Sequence, residues 1–329
     1  MSCFAHPLFD AVRAYGDLLT ARDWPAIDGL ANRLLLPGKH LVPQDERLLA
    51  DGLHYECRIA ERGQIATRAE NWHDLFNALV WARYPAIKRA LNACQCLHIA
   101  AMGASQRNRA QAALTQFDET GVIVRVRDAA VVAAWDAHDW QGLFVQHAGS
   151  WRNGDISVAA VIGHALMEQA LLPGRLLVGK CVVVQGEDDA MCVDAVAQAI
   201  RHRDFLTDPL QLRPLPLAGI PGWHVPQDAG FYRQAAYFRP LRDGRAYPLP
   251  LEPPVEPTSV GCISRGAEAA DWSRLYPSAL PPSALPVGVS RRCTPPIRSR
   301  SLAGPRAGRR RTRRRRASST GRGQGANQC

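Results

Sequence analysis

The stretch NWHDLFNALVW (residues 71–81) holds the side chains of this chain whose types and spacing are best suited to chemistry. On a helical wheel, His73, Asp74 and Asn77 fill one arc beside a wide apolar face. An arc in contact with water would carry Lys, Arg or Glu, and Trp81, which shares this arc, would be a poor occupant of it. Because buried polar groups need hydrogen-bond partners, we expect these side chains to face protein or a ligand.

Helix capping explains part of the same arc. Asn71 is a favourable N-cap residue, and Asp74 follows at the third helical position, where a carboxylate interacts well with the helix dipole. Capping explains neither His73 nor Asn77. For these two residues the sequence leaves open a structural hydrogen-bond network, which only specifies packing, and a binding or catalytic site.

Two polar residues of the next predicted helix, Lys88 and Asn92, lie on the flank of its buried stripe. The short turn at residues 82–86 would bring this helix back alongside the first. Lysine occurs only three times in the chain, which draws attention to Lys88. It is expected to hold an anionic ligand or to pair with Asp74. The alternative is a side chain with a buried stem whose amine reaches solvent.

A second candidate pair, His164 and Glu168, follows a predicted strand and Gly163. At this i, i+4 spacing the pair can share a divalent metal ion or orient a catalytic imidazole. Spacing alone favours a plain helical ion pair. The position after a strand supports a functional role, because α/β sheets bind ligands at the carboxyl ends of their strands. Asp118 and Glu119, by contrast, are interpreted as a turn that leads into a strand.

Several catalytic signatures are absent from the sequence. It contains no GxGxxG, Walker, GxSxG or HExxH pattern. Nucleotide binding through such loops, serine hydrolase chemistry and zincin chemistry therefore have no support from motifs.

The periodicity of apolar residues predicts the elements that must position these side chains. Helices are expected over residues 7–36, 71–82, 85–99, 128–137 and 188–202. Strands are expected near residues 121–126, 155–162 and 176–184. A helical N-terminal third, followed by a small sheet with packed helices, predicts an α+β or mixed α/β fold.

Charge and proline content divide the chain near residue 250. Residues 1–249 are predicted to form a single globular domain, and residues 250–329 a disordered tail rich in Pro and Arg. Thirteen arginines and no acidic residue fall in residues 290–329, and removing their charge from the net +10 leaves −3 for the rest. The Arg-rich residues 306–316 predict non-specific binding of nucleic acid, with a functionless passenger segment as the alternative.

The nine cysteines form no CxxC pair, and their number is odd. This pattern favours reduced thiols and a cytoplasmic location over a disulfide framework. There is no run of about 18 apolar residues, so we expect no membrane span. The first residues also lack the order of a signal peptide.

Four blocks of sequence occur in an order that matches one bacterial family. The most specific block is YECRIAERGQIATRAENWHDLFNALVWARYPAIKRALN, at residues 55–92. The later blocks are FDETGVIV (117–124), GHALMEQALLP (163–173), and PLPLAGIPGW with YFRP (214–223 and 237–240). Over roughly residues 5–245 the chain resembles the uncharacterised domain of unknown function three-zero-two-five. The resemblance implies a cytosolic bacterial protein with one conserved domain, but no established activity, cofactor or catalytic residue.

The first hypothesis for function is an enzyme that acts on a small molecule in a pocket between the helix pair and the strand-to-helix junction. His73 or His164 would be the general acid–base, and Asp74 or Glu168 would orient that imidazole. The remaining predicted site residues bind polar groups of the substrate or balance its charge: Asn77, Asn92 and Lys88. A divalent metal is compatible with these residues, and the sequence leaves the cofactor unknown. The competing hypothesis is a non-catalytic binding or scaffold protein whose polar residues only satisfy one another.

Overall fold

The computed structural model of the chain describes residues 3–254. The Arg-rich residues 306–316, and with them the predicted nucleic-acid binding, lie outside the described residues. Most of the predicted disordered tail, 250–329, lies outside them as well. Both interpretations stay predictions.

Within residues 3–254, eleven α-helices and six β-strands are joined by turns, 3₁₀ helices and one π-helical segment, Gly142–Gln146. The helices are α1 (Gly16–Leu19), α2 (Ile27–Arg33), α3 (Glu46–Leu49), α4 (Tyr55–Arg62), α5 (Trp72–Arg83), α6 (Pro85–Met102), α7 (Arg109–Thr120), α8 (Ala130–Asp136), α9 (Ala148–Arg152), α10 (His164–Ala170) and α11 (Asp189–His202). The strands are β1 (His40–Pro43), β2 (Gln64–Thr67), β3 (Gly121–Val126), β4 (Ile156–Val161), β5 (Val178–Gln185) and β6 (Arg213–Pro216). None of these helices is long and apolar enough to cross a membrane.

The larger sheet is built around β3, all six residues of which are buried. Its strand order is β4-β3-β5-β6, with β3 and β5 parallel and both outer strands antiparallel to their neighbours. The run GVIVRV suits a central strand because β-branched side chains pack well on both faces. β1 and β2 form a separate parallel pair. A mixed sheet covered by helices confirms the predicted α+β class.

The helix pair α5 and α6 packs into the core next to this sheet. Tyr84 ends α5, and Pro85 begins α6 at a position where a missing N–H removes no helical hydrogen bond. α5 contacts α10, and α6 contacts α4, α7 and α11. Residues 74–81 are all buried, which confirms that α5 is enclosed on both sides.

Two expectations for the elements are wrong. The predicted helix over residues 7–36 is divided into a 3₁₀ helix, Pro7–Tyr15, and the short helices α1 and α2, with Pro25 in the break. Asp118 and Glu119 lie in the last turn of α7, and not in a turn between a loop and a strand. Periodicity does not reveal α7, which begins after the capping residue Asn108 in a polar segment.

Periodicity also does not predict α4, the β1–β2 pair or β6. The case of β6 has a clear cause, since RPLP looks like irregular sequence. Pro214 has no N–H to donate, but β6 lies at the edge of the sheet and needs partners on one side only.

Candidate functional site

Two turns of the chain meet at one end of the sheet because β3 and β4 are antiparallel neighbours. Their register pairs Val122 with Val161, so the residues before β3 lie beside those after β4. Gly121 O accepts hydrogen bonds from the N–H groups of Ile162 and Gly163, both at 2.9 Å. The last turn of α7 and the first turn of α10 are therefore held side by side.

This close approach requires glycine at position 163. A Cβ atom there would lie 2.6 Å from Thr120 Cα and 2.8 Å from Glu119 O. Both are backbone atoms, which cannot withdraw without displacing the turn. The absence of a side chain at Gly163 thus allows the acidic end of α7 to contact His164, the first residue of α10.

The site centres on a contact between His73 of α5 and His164 of α10. Their Nε2 atoms are 3.1 Å apart, and the rings meet edge to face. Glu119 Oε2 lies 3.6 Å from His164 Nε2 and 3.9 Å from His73 Nε2. Two imidazoles and one carboxylate therefore converge on one point.

Each imidazole turns its other ring nitrogen toward a second carboxylate. His73 Nδ1 lies 3.0 Å from Glu168 Oε2, and His164 Nδ1 lies 4.0 Å from Asp118 Oδ2. The Glu168 carboxylate is within hydrogen-bond distance and fixes the orientation and tautomer of the His73 ring. His164 Nδ1 is buried without a hydrogen-bond partner among the described residues. The prediction of an ion pair between His164 and Glu168 within one helix is wrong. Glu168 instead extends to α5, where its carboxylate forms a hydrogen bond with His73.

Lys88 forms a buried ion pair with Asp118. Its Nζ lies 2.5 Å from Asp118 Oδ1, and the lysine side chain is only 4% exposed. The ammonium also lies 5.5 Å from the centre of the Trp81 ring, within the range of a cation–π interaction. Burial acts to raise the pKa of Asp118, but the charge and hydrogen bond of Lys88 bring it below its ordinary value. Two predictions for Lys88 are therefore wrong: it does not pair with Asp74, and its amine does not reach solvent.

Asp74 has a structural partner of its own, Arg68. The carboxylate accepts hydrogen bonds from the Arg68 backbone N at 2.7 Å and from its Nε and Nη2 at 2.9 and 2.8 Å. Burial acts to raise the pKa of Asp74, but Arg68 brings it below its ordinary value. Asn71 caps α5 as predicted, its side chain accepting from the Asp74 N–H. Of the two predicted orienting carboxylates, Glu168 rather than Asp74 contacts a histidine ring.

Two amide side chains link the helix pair to α4. Asn77 Nδ2 donates to the Tyr55 hydroxyl at 2.9 Å, while Asn77 Oδ1 has no hydrogen-bond partner among the described residues. Asn92 Nδ2 donates to Glu56 Oε2 at 2.6 Å and to Glu56 O at 2.9 Å. Neither Tyr55 nor Glu56 was expected at the site from sequence reasoning.

Burial changes the ionisation of three groups at the site. It lowers the pKa of His164 to about 3, so that this ring is neutral near pH 7. It raises the pKa of Glu119, and the charge of His73 opposes that shift. It also raises the pKa of Glu56 to about 7, against the hydrogen bond from Asn92.

These side chains surround one cavity of about 400 Å³. Six of the predicted site residues lie in its wall: His73, Asp74, Asn77, Lys88, Asn92 and His164. Glu168, the seventh, is joined to them through His73. The structure thus brings together all the residues selected from the sequence, while the roles proposed for them stay predictions.

Among the further polar residues of the cavity wall, the sequence reasoning did not assign these to the site: Tyr55, Glu56, Asp118 and Glu119. The sequence does contain a pattern that could have pointed to Asp118 and Glu119. FDETG leads directly into one predicted strand, and GHALMEQ directly follows another. Using it would require knowing that these strands are antiparallel neighbours, which the local pattern does not tell.

Fold and site together define a mixed α+β protein whose cavity wall carries a histidine pair among carboxylates. The family described as "Protein of unknown function (DUF3025)" matches residues 39–242, and the chain belongs to this family. The match confirms the resemblance, and every cavity residue named above falls within it. No curated protein and no solved structure matches the chain.

Proposed function

We propose that this protein is an enzyme that acts on a small molecule in the cavity, with His73 of the histidine pair as its general acid–base and His164 as the ring that holds it in place. One observation carries the proposal: His73 and His164 touch through Nε2 in the wall of a cavity of about 400 Å³. That volume falls within the range of small-molecule sites, roughly 300–1,000 Å³. A network that only specified packing would fill its own space, because protein interiors are close-packed.

The surroundings of the pair suit proton transfer. His164 is buried and His73 is half-buried, so one ring is held rigidly while the other also meets solvent. Glu168 fixes the orientation of His73 through Nδ1, so that Nε2 faces His164 and is positioned to exchange a proton with that ring or with a bound substrate. Asn77, whose Oδ1 has no partner among the described residues, would accept a hydrogen bond from the substrate.

We further propose that the enzyme works in the bacterial cytoplasm. Five cysteines of the described residues are free thiols, and four of them are buried: Cys57, which is partly exposed, and the buried Cys94, Cys96, Cys181 and Cys192. Unpaired thiols are the common state in a reducing compartment.

Turnover can be tested although the substrate is unidentified. Wild-type protein would be incubated with the small-molecule fraction of a bacterial extract, with and without added divalent metal salts, and the compounds followed by mass spectrometry. His73→Gln keeps a polar, half-exposed side chain but removes the imidazole. His202→Ala removes an exposed imidazole from α11, away from the cavity wall, and is the matched control.

We expect at least one compound to be consumed by wild type and by His202→Ala, but not by His73→Gln. If wild type consumes nothing under any condition, the enzyme proposal is wrong and the scaffold alternative gains. If a compound binds in the cavity without being converted, the protein is a binding protein rather than an enzyme.

A further inference from the structure

We infer that His73, His164 and Glu119 bind one divalent transition-metal ion, with an open coordination position facing the cavity. The inference rests on the proposed function and deepens it, since it gives the same site a cofactor. Each residue offers one ligand atom, and these atoms lie within 4.8 Å of one another. All three residues line the cavity.

The spacing of the ligand atoms fits a single ion. Ligand atoms bound tetrahedrally at about 2.0–2.1 Å from zinc are separated from each other by about 3.3 Å. The separation of the two histidine Nε2 atoms is 3.1 Å, and Glu119 Oε2 lies 3.6 and 3.9 Å from them. An ion between these three atoms would therefore require side-chain shifts of only a few tenths of an ångström, by the same geometry.

One of the two ring nitrogens that do not face the ion has the partner that metal-binding histidines commonly have. His73 Nδ1 is 3.0 Å from Glu168, and His164 Nδ1 is 4.0 Å from Asp118. For His73, the carboxylate at Nδ1 places the proton on that nitrogen and leaves the Nε2 lone pair free to coordinate. His164 Nδ1 is buried without a hydrogen-bond partner among the described residues. The Nε2 atoms of both rings lie within 4 Å of Glu119 Oε2.

The local charge balance also favours a cation. Three carboxylates, Glu119, Glu168 and Asp118, face the histidine pair, and Lys88 neutralises one of them. The neighbouring Arg68 is taken up by Asp74. A divalent ion would offset the charge of Glu119, whose ion-pair partners among the described residues are the two histidine rings alone.

The ligand set predicts the kind of metal. Imidazole nitrogens favour zinc, iron, cobalt or nickel, while magnesium and calcium prefer oxygen ligands. Three protein ligands are typical of catalytic sites, in which the remaining position takes water or a substrate oxygen. An ion held here would lower the pKa of bound water or polarise a carbonyl group inside the cavity.

Metal binding can be measured with the metal alone. Protein freed of metal by chelator and dialysis would be titrated calorimetrically with Zn²⁺ and, in parallel, with Co²⁺ while its visible absorption is recorded. We expect one tight site per chain with the spectrum of a four- or five-coordinate cobalt ion, and no comparable site for Mg²⁺. His202→Ala should behave as wild type.

The variants should form a graded series. His73→Gln, His164→Gln and Glu119→Gln each remove a ligand and should abolish the cobalt spectrum. Glu168→Gln, which alters only the partner of His73, should weaken affinity by about 10- to 100-fold. Circular dichroism checks folding, and Glu119→Gln is the safest variant because Glu119 is 35% exposed.

A folded wild-type protein without a tight zinc site would overturn the inference, as would Glu119→Gln and His164→Gln variants that bind as wild type does. Failure here would leave the proposed enzyme intact as a metal-free acid–base catalyst, which the compound-consumption experiment tests separately. Tight metal binding without turnover would retain the site and contradict the enzyme.

Discussion

The Lys88–Asp118 ion pair ties the helix pair to the carboxylates behind His164. It joins α6 to the last turn of α7, with the lysine almost completely buried. Neither group has an alternative ion-pair partner as close among the described residues, since His164 Nδ1 is 4.0 Å from Asp118. The position of Asp118, and with it the setting of His164, therefore depends on this lysine.

We predict that Lys88→Met will destabilise the fold by about 3–5 kcal/mol, because removing one member of a buried pair leaves the other charge without compensation. Denaturant unfolding monitored by circular dichroism measures the change. The double variant Lys88→Met/Asp118→Asn should recover part of the loss.

Arg33→Met provides the control for that measurement. Arg33 and Asp17 form an ion pair at 2.7 Å, but both side chains are more than half exposed. Loss of this exposed ion pair should change the free energy of unfolding by less than about 1 kcal/mol, as for surface pairs in general. Equal effects of Lys88→Met and Arg33→Met would show that the buried pair has no special role.

Glu56 gives a second prediction, on pH. Its pKa in the folded protein is raised to about 7 from an ordinary value of 4.5. Between these values the folded state holds a proton that the unfolded state has lost, so stability falls as the pH rises through this window. Glu56→Gln has no such proton and should be more stable than wild type at pH 8, by on the order of 1–3 kcal/mol.

Unfolding free energies of both proteins at pH 4.5 and pH 8 test this. The two should nearly agree at the lower pH and diverge at the higher one. Glu61→Gln, an exposed change on the same helix, is the control and should follow wild type. Parallel pH profiles for wild type and Glu56→Gln would contradict the prediction.

Among the elements, the junctions α7–β3 and β4–α10 matter most, because they bring Glu119 and His164 together. The antiparallel register of β3 and β4 sets their proximity, and Gly163 permits the contact. Neither junction forms the site by itself, because α7–β3 supplies Glu119 but not His164, and β4–α10 supplies His164 but not Glu119.

We predict that Gly163→Ala will destabilise the protein by about 1–3 kcal/mol or more, because the new Cβ overlaps backbone atoms of Thr120 and Glu119. Gly149→Ala is the matched control, since Gly149 lies in α9 and a Cβ atom there would have no neighbouring atom within 4 Å. It should be neutral or slightly stabilising. Thermal unfolding compares the two, and an unaltered melting temperature for Gly163→Ala would be inconsistent with the contact.

For the molecule as a whole, the described chain keeps contact with the larger sheet beyond residue 249. Leu251 N donates to Val183 O at 3.0 Å, and Gln185 N donates to Leu251 O at 2.7 Å. Pro253 also packs near Gly186. The chain therefore continues to contact β5 slightly beyond residue 249, where the sequence placed the end of the domain.

A chain ending at Pro254 should accordingly unfold at the same temperature as the full-length protein. A chain ending at Leu249 should unfold at a lower temperature, because two backbone hydrogen bonds to β5 are lost, at about 1 kcal/mol each. Calorimetry of the three proteins decides this. Equal stability of the two shortened chains would show that Leu251 contributes nothing.

Local sequence was sufficient for a substantial part of this description. Asn71 caps α5, residues 74–81 are buried, and β3 and β5 lie close to their predicted limits. Periodicity, capping and β-branched composition act between residues a few positions apart, so they can be recognised in one short window. For the same reason the odd polar residues of α5 and α10 could be selected as candidates from the sequence alone.

The partners of those residues depended on long-range packing. His73 and His164 are 91 positions apart, and Lys88 and Asp118 are 30 apart. Expected local pairs such as His164 with Glu168 gave way to distant ones, because the order of the strands and the packing of α5 on α10 decide which side chains meet. Strand order results from the combined burial of the whole core and is not encoded in any one segment, so Glu119 became part of the site only in the folded chain.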